Sequence, residues 1–129
     1  MTRTPIQPAA LPDPRPRYTQ GILTTGGSLL FIAGQTAVDA SGQVVGKGNI
    51  EEQTEQVFRN LAAVLQAAGA SFDNLVMTTA YLTDIAYRPV YNAVRLKYYG
   101  HEAPASTLVV VQSLANPDFL IEIDGIAVI

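Results

Sequence analysis

The sequence has no cysteine. That excludes disulfides, thiolate nucleophiles, cysteine-ligated zinc and iron–sulfur clusters. It has one histidine, His101. A histidine-based metal site normally takes more than one, whereas a serine–histidine pair takes one. Charge is scarce too. Charged side chains make up 15 % of the 129 residues, against about 25 % in an average soluble domain. The 8 basic and 11 acidic side chains leave a net charge of −3. Such a chain has no general attraction for a phosphate backbone, which argues against a nucleic-acid partner. No apolar run reaches the roughly 18 residues of a membrane-spanning helix. Residues 1–17 hold no apolar core, so no secretory signal is visible and a cytoplasmic location is expected. No Gly-x-Gly-x-x-Gly or P-loop spacing occurs, so a nucleotide-phosphate cradle is not expected.

What is present points to one folded domain. Apolar residues make up 48 %, which excludes disorder for most of the chain. A domain of this size buries roughly two-thirds of its unfolded surface. High apolar content with little charge leaves apolar surface to hide, and a subunit interface is the simplest place for it.

The first 17 residues hold five of the eight prolines and three of the eight basic side chains. They read as an extended arm, with the folded domain spanning residues 18–129. Tyr18–Thr24 and Leu29–Thr36 read as two strands joined through Gly26-Gly27 as a hairpin. Asn49 and Glu52 form a capping-box pattern ahead of a helix striped with Val57, Leu61, Val64, Leu65 and Ala68, and Gly69 ends it. Leu75–Leu82 is a strand. A second helix starts near Pro89, carries Tyr87, Tyr91, Val94 and Tyr98 as its stripe, and stops at Gly100. Thr107–Val111 and Leu120–Ile129 are the last strands, and the first lacks polar alternation, as in a strand buried on both sides. The order β-β-α-β-α-β-β predicts an α+β fold: one sheet, two helices on one face, and an open face that meets another chain.

Three groups of residues carry candidate chemistry. Glu122 and Asp124 share one face of an apolar strand. A carboxylate there has a raised pKa and suits general acid–base work, or else the two charges lie on a solvated face. Arg88, Asn92 and Arg95 share one helical face. They suit an anionic ligand, or else form a solvated stripe opposite the tyrosines. Tyr18, at the junction of arm and strand, is open in the same way. His101 follows Gly100 at a helix end, where the helix dipole favours a cation and explains it without catalysis.

The segments Tyr18-Thr-Gln20, Phe31-Ile-Ala-Gly-Gln35, Gln53 to Gly69, Tyr81-Leu-Thr-Asp84, Val90-Tyr-Asn92, Pro104-Ala105 and Ile121-Glu-Ile-Asp124 together resemble the RidA/YjgF family. The family is also called L-PSP, or reactive-intermediate deaminases. The resemblance implies a chorismate-mutase-like fold and a homotrimer with a central β-barrel and three clefts between subunits. It further implies hydrolysis of an imine or enamine acid to a keto acid and ammonia, with no metal and no organic cofactor. By position it assigns the water-orienting role to Glu122, and substrate contacts to Tyr18, Gly34 and Asn92. Ala33, Ser106 and Leu108 depart from the family pattern, and Ser106 stands where the carboxylate-clamping arginine belongs. Arg17, Arg88 or Arg95 must then supply the missing cation, or the substrate differs from a small 2-imino acid, or the trimer binds a small molecule without turning it over. Endoribonuclease activity, attached to some relatives, fits the acidic charge least.

Overall fold

The computed structural model describes residues 2–129. Its strands and helices run β1 (Thr2–Ile6), β2 (Gly21–Thr25), β3 (Leu29–Gln35), α1 (Ile50–Ala67), β4 (Leu75–Leu82), α2 (Arg88–Tyr99), β5 (Ala105–Val110) and β6 (Ile121–Val128).

The helices start and stop where the sequence places them. Asn49 Oδ1 accepts from the Glu52 amide at 3.0 Å, satisfying one of the free donors of the first turn of α1. The return bond of a full capping box is absent. The Asn49 amide already donates to Gly46 O at 2.8 Å, so Glu52 has no donor to meet. Val57, Leu61 and Leu65 then form the fully buried face of α1. In α2, Pro89 sits in the first turn and Gly100 closes the last one at φ 65°, a conformation glycine adopts without strain.

Four strands make the main sheet, in the order β3-β6-β4-β5. β4 and β5 run parallel and the other pairs antiparallel. Helix α1 packs on β3 and β6, and α2 packs on α1. Strand alternation puts Ala80, Leu82, Ile121 and Ile123 under the helices, where all four are fully buried. The opposite face carries no helix. There Leu29 and Phe31 are 62 % and 70 % exposed.

Three features differ from the sequence expectation. The single sheet is, within one chain, a four-stranded sheet and a separate two-stranded one. The expected hairpin between β2 and β3 is not formed; β2 pairs instead with β1, Pro5 opposite Ile22. Residues 2–6, with Pro5 among them, are extended as expected, but two-stranded pairing tolerates a proline that a central position would not. Arg3 anchors this unit, its Nη2 donating to Glu102 O at 2.9 Å and to Leu75 O at 3.3 Å. Finally, β5 is an edge strand with Val109 and Val110 exposed, not a strand covered on both sides. Leu108 packs on the core, while Val109 and Val110 have no full cover from their own chain.

Candidate functional site

Tyr18 is brought to β5 by the residue after it. The Thr19 amide donates to Pro104 O at 3.2 Å, and Thr19 Oγ1 donates to Ala103 O at 2.5 Å. Thr19 bridges to Ala105 at the start of β5, which sets Tyr18 beside Ser106. The parallel register opposes Ser106 to the buried Thr78, so Ser106 points to the helix side of the sheet. A pocket of about 290 Å³ opens there, lined by Tyr18, Ser106, Leu108, Arg88 and Arg95, with Ile85 and Val110 at its apolar border.

Arg95 is the unusual wall of this pocket. It is 4 % exposed. Its guanidinium lies 4.5 Å above the Tyr91 ring, and Nη1 donates to the Tyr91 hydroxyl at 3.2 Å. The two residues are one turn apart, so helical spacing makes the stack. The Arg95 Nε is buried without a partner, as are Ser106 Oγ and Asn92 Oδ1. Among the described residues, neither Arg88 nor Arg95 forms a salt bridge. A buried guanidinium without a counter-anion is an expensive arrangement, of the order of several kcal/mol. The pocket therefore offers a desolvated cation with unused donor capacity.

Glu122 occupies the other face of the sheet. It lies opposite Tyr81 in the β4–β6 register. Its carboxylate packs on the backbone of Gly34, so closely that a Cβ on residue 34 would lie 2.8 Å from Glu122 Cδ. Burial, and secondarily the charge of Asp124, raise the Glu122 pKa from its ordinary value. Asp124 is held differently. It accepts from the Tyr81 hydroxyl at 3.1 Å and from the Thr79 amide at 3.2 Å, which in turn raises the Tyr81 pKa. Among the described residues Glu122 accepts no hydrogen bond from its own chain, so its oxygens are free for water or ligand.

The sequence-assigned residues thus fall into two groups in one chain. Tyr18, Ser106, Arg88 and Arg95 meet in the pocket, and Asn92 lies one turn before Arg95. Gly34 and Glu122 meet on the helix-free face. Arg17 does not line the pocket, and His101 is exposed beyond the end of α2. The burial of Arg95 departs from a solvated stripe, and a signal for it was present: Tyr91, Arg95 and Tyr99 recur at spacings of four, placing the arginine in the aromatic stripe. Tyr81 as the partner of Asp124 follows from cross-strand register, which the sequence does not specify.

A mixed sheet with both helices on one face, a polar pocket at its edge strand and a carboxylate on its bare face define an α+β, chorismate-mutase-like protein. The chain belongs to the YjgF/RidA family, residues 8–129 matching the family described as Endoribonuclease L-PSP. It is 42 % identical to a RutC family protein of Synechocystis sp. over 131 residues, covering 100 % of this chain and 98 % of that one. To a RutC family protein of Saccharolobus solfataricus it is 44 % identical over 117 residues, 90 % of each chain. The structure of the Rid family protein YyfB from Yersinia pestis, described as of unknown function, superposes with a TM-score of 0.92 at 33 % identity and full coverage of both chains. Yeast Mmf1 gives 0.74 at 29 % identity, with 98 % of each chain covered.

Proposed function

We propose that the protein is a cofactor-independent C–N hydrolase of imine or enamine intermediates, working at clefts between the subunits of a homotrimer. The observation that carries this reading is Glu122: a carboxylate with raised pKa, packed on the Gly34 backbone, with no hydrogen-bond donor of its own chain spending its oxygens. Such a group can hold a water and take its proton. An enamine first becomes the imine, its β-carbon gaining a proton as its nitrogen gives one up; water then adds to the C=N carbon, and the nitrogen gains the proton that the water loses. The resulting carbinolamine then expels ammonia, and a C=O bond replaces the C=N bond. No electrons are exchanged with a second substrate, so no redox cofactor enters. Because imines hydrolyse unaided, a positioned water and an ordered pocket are sufficient help.

The separation of the two residue groups supports placing the site between subunits. Glu122 and Gly34 of one chain would face the Tyr18, Asn92 and Ser106 side of another. Ser106 is short and neutral, so the pocket lacks a cation on β5 and is not built for the general turnover of small 2-imino acids. The net charge of −3 and the small volume of the pocket favour a small molecule over RNA, despite the family's name.

The test is ammonia release from freshly generated imines and enamines, read against their uncatalysed decay. Turnover is expected for an enamine or a larger imine, and slow turnover for iminopropionate. Glu122→Gln is expected to lower the turnover by about 10²-fold or more. Absence of any acceleration across such a panel, with small molecules still binding, would replace this reading by that of a non-catalytic binding trimer.

A further inference from the structure

We propose that Asp124 is a positioning residue for Glu122: the Tyr81 hydroxyl and the Thr79 amide fix its carboxylate beside Glu122, so that of the two carboxylates Glu122 is the one left to exchange a proton with water. This assignment rests on the hydrolytic reading above for the chemistry at Glu122, and goes beyond it in giving Asp124 and Tyr81 a part.

The two carboxylates stand two residues apart on β6 and so share the helix-free face. Their surroundings differ. Asp124 Oδ2 accepts from the Tyr81 hydroxyl at 3.1 Å and Oδ1 from the Thr79 amide at 3.2 Å. Each oxygen has its own donor, which fixes the orientation of the group. Glu122, among the described residues, has no such donor. The register makes this inequality. Thr79 lies directly opposite Asp124, whereas Tyr81 starts opposite Glu122 and crosses diagonally to Asp124. The tyrosine therefore spends its one proton on the farther carboxylate and leaves the nearer one free. No other charge intervenes. β3 carries no titratable side chain, and β4 carries Tyr81 alone. No helix covers this face, and among the described residues neither carboxylate has a basic partner. A fixed negative charge disfavours a second one beside it. Burial first, and then this charge, raise the Glu122 pKa. Two carboxylates in such unequal settings divide their roles: Asp124 supplies the fixed charge and Glu122 exchanges the proton. In the hydrolysis, Glu122 takes a proton from water as the water oxygen bonds to the C=N carbon and the π pair moves to nitrogen. It then returns that proton to the nitrogen. A raised pKa makes it a better base for the first of these transfers.

The test is a titration of the full chain by NMR, with glutamate isotope-labelled at the side-chain carboxyl carbon and the Glu122 signal assigned by its loss in Glu122→Gln. In Asp124→Asn the amide oxygen can accept from Thr79 and the amide nitrogen can donate to the Tyr81 oxygen, so charge is lost while the hydrogen bonds are kept. The Glu122 midpoint is expected to move to lower pH, part of the way to an ordinary glutamate, because burial remains. The acid limb of the kcat–pH profile for enamine hydrolysis is expected to move down with it, with the plateau kcat a few-fold lower and KM nearly unchanged. Tyr81→Phe keeps the charge but unties it, and is expected to shift the midpoint in the same direction by less. An unmoved midpoint in folded Asp124→Asn overturns the proposal; if that variant does not fold, an unmoved midpoint in Tyr81→Phe overturns it instead. A kcat lowered equally at every pH, with the limb in place, makes Asp124 structural only and also overturns it. A midpoint that moves in a protein releasing no ammonia removes the hydrolytic reading and leaves the pairing of the carboxylates standing. Ammonia release with midpoint and limb both unmoved does the reverse.

Discussion

At the scale of single residues, Gly34 and Glu122 make the sharpest case. Gly34 is required for close approach, not for its backbone angle: any Cβ there would collide with the Glu122 carboxylate. That carboxylate is the far end of a flexible side chain and can swing away. Gly34→Ala should therefore fold with nearly the wild-type melting temperature while losing the same activity that Glu122→Gln loses, measured by thermal unfolding beside the ammonia-release assay. A second prediction follows from the raised Glu122 pKa. The fold binds this proton more tightly than the unfolded chain does, so the group favours folding at low pH. That contribution is lost as pH rises through the carboxylate range. Glu122→Gln should flatten the corresponding part of the stability–pH curve and leave the protein at least as stable as wild type at pH 7. A marked loss of stability at pH 7 would contradict the burial cost assigned to this carboxylate.

At the scale of elements, polar side chains tie the helices to the loops. Gln53 is fully buried in α1. Its Nε2 donates to Asp118 O at 2.8 Å and to Gly46 O at 3.2 Å, and its Oε1 accepts from the Leu120 amide at 2.9 Å. The side chain thus joins the segments before α1 and before β6. Gln53→Leu, close in volume, would strand these three groups and should cost about 3 kcal/mol in denaturant unfolding. Glu55 joins α1 to α2: it pairs with Lys97 and accepts from the Tyr98 hydroxyl at 2.6 Å. Hydrogen bonds from Lys97 first, and then from Tyr98, lower its pKa. Its contribution is present above the unfolded carboxylate pKa and is lost as pH falls through the folded one. Glu55→Gln should remove acid sensitivity, the opposite of the effect at Glu122, and titration of the two variants side by side checks both signs.

At the scale of the whole molecule, the helix-free face is the open question of cover. Leu29 and Phe31 are exposed on it, and Val109 lies exposed on β5 at its edge. We propose that two further copies provide the cover, which also brings Glu122 of one chain toward the pocket of the next. Sedimentation should give three times the 13.8 kDa chain mass. Phe31→Asp should shift the protein toward monomer, and ammonia release should fall with it. A wild-type monomer would remove both the assembly and the shared cleft.

The order of the elements from Leu75 onward, the N-cap at Asn49 and the stop at Gly100 were legible in the sequence, because caps, prolines, glycines and apolar spacing act within a turn or two of the chain; the strand expected over Thr107–Val111 instead runs Ala105–Val110. Glu122 was legible in part: strand alternation placed it on a face with Asp124, and the resemblance assigned it a role. Tertiary structure alone decided the rest. That β2 pairs with β1 and leaves β3 at an edge depends on whether β1 or the adjacent β3 wins the same backbone hydrogen bonds, and local propensity is silent on that choice. That Gly34 meets Glu122 depends on the β3–β6 pairing across some ninety residues of intervening chain. That Arg95 is a buried, unpaired cation and not part of a solvated stripe depends on how α2 packs on α1. A helical spacing tells which side chains share a face, and only packing tells what that face meets.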